Sequence, residues 1–179
     1  MEMIMVPPGF YDLPLFKRLT REEVESIGRL AQPMSFSKGE LIFQERCSAN
    51  YLDILWSGAV EIRKNDREGD ARVITVIHAP GVIGEMSLMN GQQRSCSGVA
   101  VLDVSLYRIK RDDFMSEIED GNLAAHKVVF NLAELMSTRL RLVDEKLVEL
   151  LNQQDDVTVQ VQGGDLSEFR KKLFSEWAF

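Results

Sequence analysis

A mainly β fold with flanking α-helices is what this 179-residue chain predicts, on three observations. From Met34 to Ile109 the sequence breaks into short runs rich in β-branched and aromatic residues, separated by turn signals. On either side, apolar positions recur three and four residues apart, as they do along one face of a helix. The strand region has one strong interruption, at residues 84–94, where a short helix-forming stretch takes over. Short strands at close spacing favour a β-sandwich or small barrel over alternating βαβ units. The interruption therefore reads as an insertion inside a β-roll.

Residues 1–12 read as an irregular lead-in. From Leu13, the positions Leu15, Phe16, Leu19, Val24, Ile27 and Leu30 keep a helical rhythm, and Thr20 followed by Glu23 forms a capping-box start. Strands are predicted at 34–36, 40–44, 51–56, 59–63, 73–78, 97–101 and 104–109. Lys38-Gly39, Ser57-Gly58, residues 65–70 and Pro80-Gly81 supply turns between several of them. A short helix at 113–119 ends at Gly121, and a long helix follows over 122–152.

Along that helix Val129, Ala133, Met136, Leu140, Val143, Leu147 and Leu150 alternate four and three apart, a coiled-coil seam of about three heptads. Val128, Leu132, Leu135 and Leu142 make a second row. One row can lie on the chain's own roll and the other on a partner helix, which predicts a homodimer through helix 122–152; both rows on one wide intrachain face is the alternative. Beyond it, Val157, Val159 and Val161 suggest a strand, Gly163-Gly164 a break, and Asp165 with Glu168 the cap of a last helix. Its stripe of Leu166, Phe169, Leu173 and Trp177 needs cover, from its own domain or from an unidentified protein partner. The chain thus divides into a domain over 13–152 and a strand-turn-helix tail over 153–179.

With 21 basic against 28 acidic residues the net charge is −7, and the pI is near 5.0. That balance argues against unaided binding to DNA or to an anionic membrane, both of which need clustered Lys and Arg. No apolar run approaches the about 20 residues that span a bilayer. The N-terminus lacks a basic start and is broken by Pro7 and Pro8, so no signal peptide is read and the expected location is cytoplasmic. Cys47 and Cys96 share no metal-like spacing with His78 and His126, and read as free thiols. No nucleophile motif, metal-ligand cluster or Walker-type loop is found, so neither an enzyme nor a metal site is expected.

The chemistry concentrates in residues 84–96, Gly-Glu-Met-Ser-Leu-Met-Asn-Gly-Gln-Gln-Arg-Ser-Cys. Arg94 offers a planar fork of donors that can engage two phosphate oxygens at once. Backbone N–H groups at the start of the 85–89 turn add donors, Ser95 adds a hydroxyl, and Gly84 permits close approach of a ligand. Glu85 can accept a hydrogen bond from a ribose hydroxyl while Arg94 neutralises the charge between carboxylate and phosphate. An empty pocket would leave a desolvated arginine unpaired, so occupancy by an anion is expected. A Glu and an Arg at this separation are, taken alone, more simply a surface ion pair.

The whole run decides against that simpler reading. It is similar, position by position, to the phosphate-binding cassette of the cyclic-nucleotide-binding domain family, including the apolar Leu88 that anchors the cassette helix. Residues 38–43 and 55–62 resemble strand and turn segments of the same domain, with Gly39 and Gly58 at its turns. The resemblance covers about residues 13–152 and includes bacterial catabolite activators, regulatory subunits of cyclic-AMP-dependent kinase, and cyclic-nucleotide-gated channels. It implies a jelly roll with an embedded cassette, an N-terminal helix and a long C-terminal helix.

The resemblance further implies a ligand, cyclic AMP favoured over cyclic GMP, and a sensor that acts by a ligand-driven shift of its C-terminal helices. Carried over, Glu85 holds the ribose, Arg94 and Ser95 hold the phosphate, and Gly84, Met86, Ser87 and Cys96 line the same site. Arg139, Val143 and Asp144 take the place of a lid over the base, with Val143 and Asp144 where the catabolite activator has hydroxyl residues. Cys96 stands where alanine is common, and Arg46 stands near a common loop glycine. Two other readings stay open: an interaction module of this fold that binds no nucleotide, and a transcription regulator. Residues 153–179 are too short for a winged helix-turn-helix, so a stand-alone bacterial member without a DNA-binding domain is expected.

Overall fold

The structure, a computed structural model, describes residues 8–48 and 50–155. The strand expected at 157–161 and the helix expected from Asp165 lie outside the described residues. The chain divides into two compact units, the first ending at Met136 and the second beginning at Ser137. Among the described residues no helix is long and apolar enough to cross a membrane.

The first unit opens with two 3-10 turns, Pro8–Asp12 and Pro14–Phe16, and helix α1 (Arg21–Gly28). Strands β1 (Ala31–Phe36), β2 (Leu41–Phe43), β3 (Tyr51–Ser57), β4 (Ala59–Asn65), β5 (Ala71–His78) and β6 (Gly81–Ile83) lead to helix α2 (Glu85–Asn90). Strands β7 (Ser97–Ala100) and β8 (Val104–Lys110), helix α3 (Arg111–Glu119) and helix α4 (Leu123–Asp155) complete the order. The strands form two antiparallel four-stranded sheets, ordered β1-β8-β3-β6 and β2-β7-β4-β5. This is a jelly roll with α2 set between β6 and β7.

The two-residue period of a strand explains how one sheet serves two cores. On β3, Leu52 and Ile54 join α1, α3 and α4 in a cluster with Phe10, Phe16, Val24, Ile27, Phe114, Val128 and Leu132. Leu55, one step out of phase, joins Val60, Ile83, Ala100, Val104 and Leu106 between the sheets. On β8 the same alternation sends Ile109 to the helices and Leu106 to the roll interior. Each such Leu or Ile, fully buried, contributes about 1.5–3 kcal/mol.

The capping box of α1 is present in both halves: Thr20 accepts from the Glu23 N–H at 3.3 Å, and the Thr20 N–H donates to the Glu23 carboxylate at 2.7 Å. The helical rhythm from Leu13 is only partly α-helix. Leu15 and Phe16 sit on a 3-10 turn, and Arg18 takes a left-handed φ of 71° that ends it before α1 begins. β6 is an added strand, since its three residues, beginning at Gly81 itself, are too few to show alternation. α3 starts at Arg111 rather than 113, and α4 starts beside Asn122, whose side chain accepts from the Ala124 N–H at 2.8 Å.

The start of α4 is tied to the N-terminal segment by polar contacts. The Asn131 side-chain amide donates to the Leu15 carbonyl at 2.8 Å and to the Lys17 carbonyl at 2.6 Å. Arg18 donates to both Glu134 oxygens, and Lys127 to both Glu23 oxygens. Of the two apolar rows on this helix, Val128 and Leu132 of the second row are fully buried in the unit itself. In the second unit Leu140, Val143 and Val148 are exposed.

Candidate functional site

The site grows from a cross-strand pair. Asp53 of β3 and Arg108 of β8 are register partners, each one step out of phase with the helix-facing residues and so turned into the roll. Asp53 is fully buried, and its two oxygens accept from Arg108 Nε at 2.7 Å and Nη2 at 2.9 Å. The Arg108 guanidinium also lies 4.8 Å from the centre of the Tyr51 ring. Burial works against the charge on Arg108, but the bonds to Asp53 outweigh it and raise its pKa.

Arg94 enters the same space from the loop after α2. Its backbone is pinned at both ends, the N–H donating to the Cys47 carbonyl at 3.0 Å and the carbonyl accepting from Arg46 at 2.9 Å. The residue is only 5% exposed. Its Nη2 donates to the Tyr51 carbonyl at 3.0 Å and stands 3.8 Å from the Asp53 carboxylate. The guanidinium lies over the Phe43 ring at 4.6 Å. Burial lowers the Arg94 pKa, Asp53 opposes that, and neighbouring Arg108 adds to it.

Two glycines make this packing possible. Gly84 has a φ of 91°, and a Cβ there would fall 1.9 Å from Arg94 Nη1 and 2.7 Å from the Tyr51 carbonyl oxygen. The space beside Gly84 is therefore occupied by the chain's own arginine, a reason for glycine different from the ligand approach the sequence suggested. At Gly98 a Cβ would meet the Phe43 ring at 2.3 Å, so the ring under Arg94 depends on that glycine.

The residues singled out in 84–96 are brought together on and just after α2. Glu85, its first residue, is buried and close enough to help hold the charge on Arg94. Ser87 and Leu88 are buried, Leu88 in the helix-facing core as the cassette pattern requires. Met86 is half exposed, and Ser95 is exposed with its Oγ 3.9 Å from Cys96 Sγ. Cys96 packs against the roll interior, where burial pushes its thiol pKa up. Cys47 and Cys96 are free thiols. Arg139, Val143 and Asp144 lie on α4 in the second unit, Val143 and Asp144 exposed and Arg139 partly so.

One expectation is overturned. The protein's own groups partner Arg94: a carbonyl, a ring face and a carboxylate surround it. Among the described residues no buried side-chain nitrogen or oxygen lacks a partner. The residues responsible, Asp53, Arg108, Tyr51 and Phe43, were not singled out in the sequence. A signal existed for one of them. A charge in the middle of an apolar run, as at Asp53 between Leu52 and Ile54, has to be paired once the strand is buried.

Residues 33–120 match the family model described as cyclic nucleotide-binding domain. The cyclic AMP receptor protein of Thermus thermophilus is 34% identical over 134 residues, covering 75% of this chain and 60% of that protein. The crystal structure of the Thermus thermophilus catabolite activator protein superposes with a TM-score of 0.67 at 33% identity, covering 77% of this chain and 63% of that one. A cyclic nucleotide-binding domain from Methylobacillus flagellatus gives a TM-score of 0.70 at 25% identity over 75% of each chain. The chain spans 60% or slightly less of the length of the first curated relatives it matches. With the jelly roll, the embedded helix and the buried arginine in place, residues 33–120 are a cyclic nucleotide-binding domain.

Proposed function

We propose that the site takes a cyclic nucleotide, cyclic AMP in preference to cyclic GMP, and that the chain works as a sensor without catalytic activity of its own. The observation that carries this reading is Arg94, a buried guanidinium set in a rigid frame directly beside the start of α2 and near Glu85. Arg94 and Ser95 hold the cyclic phosphate, and Glu85 accepts from the ribose 2′-hydroxyl. Gly84 and Met86 contribute backbone groups, while Ser87 and Cys96 flank the pocket. Preference for cyclic AMP leans on the Thermus thermophilus relative, whose name is cyclic AMP receptor protein.

The output is a shift of α3 and the start of α4, driven only as far as the ligand's affinities for the two arrangements differ. Two contacts support a route from the cassette to these helices. Arg111, the first residue of α3, donates to the Leu88 carbonyl of α2 at 3.0 Å. Leu88 and Phe114 share one core with Ala124, Ala125 and Val128 of α4. A homodimer through α4 is part of the same reading, supported by the exposed Leu140 and Val143.

Titration calorimetry of the full chain with each cyclic nucleotide tests the proposal. Saturable heat is expected with cyclic AMP and weaker binding with cyclic GMP; no heat with either sinks it. Arg94→Ala should cost about 2 kcal/mol of binding or more, roughly thirtyfold in affinity. Unchanged affinity in that variant would place the phosphate elsewhere.

A further inference from the structure

Asp53 stands between two arginines and treats them unequally. Arg108 holds both of its oxygens, at 2.7 and 2.9 Å, while Arg94 waits at 3.8 Å. A fully buried carboxylate cannot remain without a cation, because burial penalises an unpaired charge heavily. If Arg108 were absent, Arg94 would be the nearest guanidinium. It would need to move only about 1 Å to reach hydrogen-bonding distance. That move would turn its donors toward the strand and away from the space an anion would fill.

The charge balance points the same way. With Arg108 present, two guanidiniums face the two carboxylates of Asp53 and Glu85. Without it, Asp53 loses the cation that holds both of its oxygens, and Arg94, at 3.8 Å, is the guanidinium left beside it. The cross-strand register of Asp53 with Arg108 fixes this pairing in the sheet itself, independent of the loop that carries Arg94.

We propose that Arg108 is a positioning residue for the anion-binding arginine: by holding both oxygens of Asp53 it keeps the Arg94 guanidinium available to a phosphate. The proposal rests on the reading of this site as one for a cyclic nucleotide, and it adds a residue outside the cassette to the set that determines affinity.

The test compares the unsubstituted chain with Arg108→Gln and with the double variant Asp53→Asn/Arg108→Gln, each shown folded by circular dichroism. Cyclic AMP affinity should fall about tenfold or more in Arg108→Gln, the size expected for losing a charge-assisted contact. It should recover to within about threefold of the parent in the double variant, where nothing competes for Arg94. A merely structural role gives no such rescue. Affinity within about twofold of the parent in Arg108→Gln, or a double variant as weak as the single, overturns the proposal. Should Arg108→Gln fail to fold, Arg108→Lys keeps the charge but can hold only one oxygen well. It should bind more weakly than the parent, and equal affinity overturns the proposal.

Arginine side-chain ¹⁵N resonances of the nucleotide-free proteins, with Arg94 assigned by its own substitution, separate this idea from the functional reading. The Arg94 signals should move in Arg108→Gln (or Arg108→Lys) and return in the double variant. If the parent binds neither cyclic nucleotide, that movement and return still support the positioning role while the function fails. Absence of movement overturns the positioning role whatever the parent binds.

Discussion

Two groups of ion pairs in the first unit have nearly the same geometry and opposite surroundings. Inside the roll, Asp53, Arg94 and Arg108 have side chains 0%, 4% and 15% exposed, with the short contact at 2.7 Å. Outside, Arg18 and Glu134 meet at 2.8 Å with side chains 45% and 43% exposed. Bond length does not separate them; solvent does. Water and salt screen the outer pair, and exposed pairs of this kind contribute little. The inner charges have no such screening, so each needs its partner, and removing one leaves another stranded. The outer group therefore orients the start of α4, while the inner group decides where positive charge is available.

The sharpest way to break this comparison is Asp53→Ala. It leaves two buried guanidiniums facing each other with no carboxylate between, and should cost about 3–5 kcal/mol of stability in urea denaturation. A loss below about 1 kcal/mol would mean that water reaches the pair and that the two groups are alike after all. Next in size is Asn131→Leu, which removes a buried amide beside the outer group. The Leu15 carbonyl loses its amide donor in a buried contact, and the Lys17 carbonyl loses one beside it. The expected cost is about 1–3 kcal/mol, the penalty for leaving such acceptors unsatisfied. A smaller loss would assign the tie between α4 and the N-terminal segment to the exposed charges instead.

The same contrast explains what could be read from the sequence. The cassette and the helix-facing core were legible because they are local: Gly84 to Ser95 is one continuous run, and Val24, Ile27, Val128 and Leu132 follow a helical period. The capping box of α1 was legible for the same reason, a three-residue spacing with one mechanism. The frame around Arg94 was not. Asp53 and Arg108 are 55 residues apart, and only the β3–β8 register brings them together. Phe43 reaches Arg94 because Gly98 leaves room for the ring, a fact with no sequence period at all. β6 escaped because three residues cannot display alternation, and its pairing with β3 is what makes it a strand. Side-chain identity marked where an anion could bind. Which charges stand beside one another depended on long-range pairing.

The smallest expected effect concerns acid, and it separates the two groups by their exposure. Glu23 has a lowered pKa, chiefly through the hydrogen bond from Lys127, and Glu134 has one through the hydrogen bond from Arg18. A carboxylate whose pKa is depressed by folding binds fewer protons in the native state than in the unfolded one. Its contribution is then present above the ordinary Glu value of about 4.3 and is lost as pH falls through the lower folded value. Urea midpoints measured from neutral pH down through this window should fall for the parent protein. They should fall less for Glu23→Gln/Glu134→Gln, in which neither amide can titrate. Added salt should narrow the gap between the two curves, because both pairs face solvent. Parallel curves would show that the outer charges contribute nothing that acid can remove. Asn131 and the apolar contacts of Val128 and Leu132 would then hold the start of α4 by themselves.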